Sequence, residues 1–129
     1  MGLDNGILIK KKSKGLNISS IPNFVKFENL EDYIELVYWR KCWGIRNEII
    51  KKLHMKDDEY ERSLDREDIP AIIKILYKFL SKEYWDENAD SIWEFEDQID
   101  NIIQCIINLK WLYSYMANND IEIVFYDSY

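Results

Sequence analysis

Histidine occurs once, cysteine and proline twice each, and glycine four times in 129 residues, and each scarcity removes a class of function. His54 is the sole imidazole, so a hydrolytic triad that needs histidine has one candidate at most. It follows Cys42 by a helical distance of about 18 Å, which keeps the two from acting as nucleophile and base within one helix. Zinc finds no conventional Cys/His spacing. Cys42 and Cys105, without a CxxC and without a secretory h-region, read as reduced core thiols of a cytoplasmic protein, a disulfide between them being the alternative. No GxGxxG and no GxxxxGKS or GxxxxGKT loop is present to cradle phosphate, and so few Gly and Pro leave little for linkers. No apolar run approaches the roughly 18 residues of a membrane span, so a soluble chain with no membrane partner is expected.

What is plentiful is apolar and aromatic. At 47% hydrophobic and 15% aromatic residues, residues 1–129 have the material for one domain with its own core. Charge is unevenly spread: residues 1–56 carry 11 Lys/Arg against 6 Asp/Glu, and residues 57–129 carry 6 against 18. The basic half interleaves Lys10, Lys11, Lys12, Lys14, Arg40, Lys41 and Arg46 with Trp39 and Trp43, as nucleic-acid binders do, but a net charge of −7 opposes approach to a polyanion. The acidic half suits a basic protein partner instead.

Periodicity orders the chain. Ile7 to Lys11 reads as a strand ending in a lysine-rich turn, and Leu16 to Glu31 as a loop, interrupted by a short strand at Phe24 to Phe27. Tyr33 to Tyr38 alternates, with Ile34, Leu36 and Tyr38 on one face. Alternatively Asn29, Glu31 and Asp32 cap a helix that runs on into Trp39. From Trp39 to Leu53 the period is helical, with Cys42, Ile45, Ile49 and Leu53 as its core stripe. A charged connection, Lys56 to Glu67, leads to a helix capped by Asp68, carrying Ile69, Ile72, Leu76 and Phe79 and ending near 82–85. Ser91-Ile92-Trp93-Glu94 matches a capping box, after which Ile92, Phe95, Ile99, Ile102, Ile106, Leu109, Tyr113 and Met116 repeat as a heptad seam. That long helix, Ile92 to Met116, is either the centre of the core or the seam of a homodimer. Asn118 and Asn119 suit a left-handed cap before a last strand, Ile121 to Tyr126. The order implies an α+β fold, with a small antiparallel sheet of N-terminal, middle and C-terminal strands on three helices.

Tyr38-Trp39-Arg40-Lys41-Cys42-Trp43 concentrates cations and aromatics where strand gives way to helix. With a helix from Trp39, the residues Arg40, Trp43 and Asn47 share a face, and with Arg46 and Trp39 they suggest a pocket for a nucleotide or other small anion. The rival reading is a brace in which Asp4 pairs with Arg40 or Lys41 while Trp39 and Tyr129 pack beside them. Asp86, Asn88, Asp90 and Glu94 fall at positions 1, 3, 5 and 9 of a calcium-loop pattern, but Ser91 replaces its glycine and Asp97 its bidentate Glu. No catalytic constellation or cofactor motif emerges.

Met1-Gly2-Leu3-Asp4, Tyr38-Trp39-Arg40-Lys41 and the closing Phe125-Tyr126-Asp127-Ser128-Tyr129 together resemble a group of small phage and prophage proteins that begin MGLD and carry a YWRK helix start. That group has no settled biochemical function, so the resemblance implies a viral or mobile-element origin more than an activity. Its members continue YWRK with a small residue and Asn, then Ile-His, where this chain has Cys42, Trp43, Ile45 and Arg46. The expectation is an accessory protein that binds a host or phage protein without catalysis, the alternative being a small-anion binder.

Overall fold

The computed structural model describes residues 3–56 and 58–128. Asp4–Lys10 forms β1, the middle strand of a five-stranded antiparallel sheet ordered β2-β3-β1-β5-β4. The other strands are β2 at Glu28–Asn29, β3 at Tyr33–Arg40, β4 at Glu61–Leu64 and β5 at Ile123–Ser128. The helices are α1 (Trp43–Leu53), α2 (Asp68–Lys78), α3 (Lys82–Asn88) and α4 (Phe95–Tyr115). The class is α+β, and the last helix is the long one.

Alternation alone misplaces half of β3. Its register against β1 slips between Ile7 and Leu8, passing over Leu36. A bulge of this kind inverts the alternation beyond it, so Ile34 and Leu36 before it and Val37 and Trp39 after it are all buried in the core. Tyr38 consequently lies with Tyr33, Glu35 and Arg40 on the opposite face, not with Ile34 and Leu36. The strand also continues to Arg40, so α1 starts at Trp43 and no helix runs in from Asn29.

Other boundaries move for local reasons. The expected strand at Phe24 to Phe27 is replaced by β2, one step later, and the charged connection contains β4, which borders β5 through residues Glu61 to Leu64. The second helix divides because the Ser81 hydroxyl caps α3 by accepting the Tyr84 N–H at 3.3 Å. Ser91 makes no capping box: its hydroxyl accepts the Trp93 N–H at 3.1 Å, and α4 opens only at Phe95. Left-handed backbone falls at Lys41, His54 and Asp90 among the described non-glycine residues, and not at Asn118 or Asn119.

The stripe Cys42, Ile45, Ile49 and Leu53 is buried as expected, and so are Ile102, Ile106 and Leu109 of the heptad seam. That seam is therefore occupied within the chain, against α2 and the sheet, while Ile92 stands clear of the helix at 66% exposure. Among the described residues no helix is long and apolar enough to cross a membrane.

Candidate functional site

The chain turns sharply where β3 ends. Trp39 points inward and Arg40 outward, Lys41 adopts φ 53° while its N–H bonds the Leu3 carbonyl at 2.7 Å, and Cys42 precedes α1. Helix α1 then presses its first turn against the end of α3. The Gly44 N–H meets the Ala89 carbonyl at 2.7 Å, and a Cβ on Gly44 would lie 1.9 Å from the Asn88 oxygen. Only glycine permits that approach.

This geometry separates the residues that sequence periodicity had grouped. On the inner side, Arg46 grips Asp127 of β5, with Nε 3.1 Å and Nη2 2.9 Å from Oδ2, and Asp127 is 1% exposed. Asn5 of β1 donates its amide to the same carboxylate, and the remaining Arg46 nitrogen bonds Asn47 Oδ1 at 2.9 Å. The guanidinium also lies 5.6 Å from the Trp43 ring centroid. A desolvated, hydrogen-bonded pair of this kind is already neutral, so an anion would have to displace Asp127 to reach Arg46. Beside it, Asn5 Oδ1 and Trp39 Nε1 are buried without a hydrogen-bond partner among the described residues.

Arg40 stands on the other side of the sheet. Its Nε is 3.9 Å from Asp4 Oδ1 across the β1–β3 ladder, with both side chains substantially exposed. Asp4 also accepts the Tyr38 hydroxyl at 2.7 Å, and partial burial followed by that carboxylate raises the Tyr38 phenol to about 12. Next to it, Tyr126 of β5 reaches over β1 to donate to Glu35 Oε2 of β3 at 2.8 Å. Gly6 makes the crossing possible, since a Cβ there would sit 2.7 Å from the Tyr126 ring. Burial, then Glu35, raises the Tyr126 phenol strongly. Arg40, Trp43 and Asn47 thus share no face; Lys41 contributes backbone, and Tyr129 lies outside the described residues.

A set of residues missed in the sequence seals the open edge of β3. Carbonyls 36, 38 and 40 point away from β1, and they accept from Asn108 Nδ2 at 2.8 Å, Asn101 Nδ2 at 3.1 Å and Trp93 Nε1 at 3.0 Å. Asn108, 2% exposed, additionally bonds both the N–H and the carbonyl of Lys26. The available signal was an Asn in the apolar half of the long helix, which no helix-capping or solvent role explains.

The remaining candidates disperse. Asp86 and Asn88 lie within α3, where Asp86 pairs with Lys82 at 2.8 Å, and Glu94 precedes α4. No group of three His, Cys, Asp or Glu among the described residues is arranged to hold a metal. His54 takes the left-handed cap of α1, its N–H meeting the Ile50 and Lys51 carbonyls. Both cysteines are buried and free, and burial raises their thiols to about 11 at Cys42 and about 12 at Cys105, so neither is a ready nucleophile near neutral pH.

Comparison of the chain with protein-family models, curated proteins and solved structures returns no match.

Proposed function

We propose that the protein acts by binding another protein, without catalysis, as a phage or prophage accessory whose partner is a host or phage protein. The observation that carries this reading is the sheet face turned away from the helices. It presents Leu8, Tyr33, Tyr38 and Tyr126, none of which joins the helix-covered core. Tyrosines on a rigid sheet bring large contact area and a polar tip at little entropic cost, the chemistry of interface anchors. Carboxylates dominate the same face: Asp4, Glu28, Glu35, Glu61 and Glu122 stand with Lys10 and Arg40. Glu28 and Glu35 are direct cross-strand neighbours, a like-charge pairing that costs stability and that a cationic partner would relieve.

A basic protein surface is therefore favoured over a small anion, because Asp127 neutralises Arg46 and Asp4 stands against Arg40. The reading places the chain in the cytoplasm, where both thiols stay reduced. Affinity capture with the immobilised chain, against one carrying Glu28→Lys, Glu61→Lys and Glu122→Lys, tests it. A partner retained by the first and lost by the second is expected. Equal retention, or no protein partner at all, would overturn the proposal.

A further inference from the structure

Helix α4 turns one stripe wholly to solvent: Glu96, Asp100, Ile103, Ile107, Lys110 and Ser114 are all exposed. Their spacing of four and three is a heptad, so the stripe stays in line for about 27 Å of helix. Its ends are polar, as a solvated face should be, but its centre is not. Ile103 and Ile107 are 41% and 36% exposed, in a chain that otherwise buries most of its isoleucine. Apolar flanks widen the patch. Phe24, 59% exposed, is held beside it by the bond from Gln104 to its carbonyl, and Tyr77 of α2, 45% exposed, lies beneath the Lys110 ammonium.

We infer that this stripe docks a second copy of the same chain, with the two α4 helices antiparallel. A two-fold axis crossing α4 at the level of Cys105 sets Ile103 against the partner's Ile107 and Asp100 against the partner's Lys110, each pair occurring twice. The stripe is thus complementary to itself in shape and in charge, which an isologous interface requires. A parallel pairing would bring Asp100 to Asp100 and Lys110 to Lys110, and those repulsions select the antiparallel arrangement. Spacing by threes and fours also suits helices crossing at about 20°. The seam read from the sequence, through Ile102, Ile106 and Leu109, lies inside the core; the dimer stripe is the neighbouring one. This surface is separate from the sheet face, so either proposal can fail alone.

Sedimentation equilibrium of the full chain tests the dimer. Wild type is expected to associate reversibly, and Ile103→Glu with Ile107→Glu to sediment as a monomer with an unchanged circular dichroism spectrum. Asp100→Lys alone and Lys110→Asp alone should each weaken association about tenfold, and the two together should restore it to within about threefold. A wild-type monomer at every concentration, a dimer indifferent to the glutamates, or a double charge swap that fails to restore association would overturn the inference. The charge variants decide the matter even if the glutamates disturb folding, since both positions are exposed.

Discussion

Asp127→Asn removes the charge that Arg46 faces while leaving the shape of the site intact. Arg46 is nearly enclosed, its side chain 13% exposed, so losing the charge of this buried, doubly hydrogen-bonded carboxylate should cost about 3–5 kcal/mol, read from urea unfolding at neutral pH. A loss within about 0.5 kcal/mol would mean the pair is a surface bridge in all but appearance. Titration gives a second test at this scale. Cys42 and Cys105 rise from 9.0 to about 11 and about 12, and Tyr38 from 10.0 to about 12, burial being the largest cause in each. Groups raised on folding contribute stability that is complete below their unfolded values and is lost as pH climbs through the folded ones. The urea midpoint should therefore fall steadily from about pH 9 upward; a midpoint level to pH 11 would contradict the burial of these groups.

Strand β3 and helix α4 depend on each other through side chains more than through apolar contact alone. Asn108→Leu would keep the branched shape of the amide side chain yet strip partners from the Leu36 and Lys26 carbonyls and the Lys26 N–H. About 2–4 kcal/mol of destabilisation should follow, with faster amide exchange along 24–29 and 36–38. No change in exchange there would show that water replaces the amide. These elements also mark where the sequence was legible. The core stripe of α1 and the buried positions of α4 follow from a helical period, which tertiary packing only reinforces. β3 was half legible, because alternation cannot announce a bulge: Leu36-Val37 reads as one inward and one outward residue until β1 supplies the register. β4, with the sequence Glu61-Arg62-Ser63-Leu64, has no strand signature of its own and exists because β5 offers an edge. The expected grouping of Arg40 with Trp43 and Asn47 came apart for the same reason as the helix boundary: its face was drawn on a helix that begins only at Trp43, after Arg40 has already pointed the other way.

At the scale of the molecule, the fold leaves two surfaces unspent. One is the tyrosine and carboxylate face of the sheet; the other is the isoleucine stripe of α4. The net charge of −7 adds long-range attraction for a basic partner to the local complementarity of the sheet face, so association should be fast at low salt and slow as salt rises. Isothermal titration of the captured partner into wild type and into the Glu28→Lys, Glu61→Lys, Glu122→Lys variant measures the sheet-face claim most directly. At least a tenfold weaker Kd is expected for the variant, with wild-type affinity kept by Ile103→Glu, Ile107→Glu; an unchanged Kd for the sheet-face variant would rule out the sheet face as the docking surface.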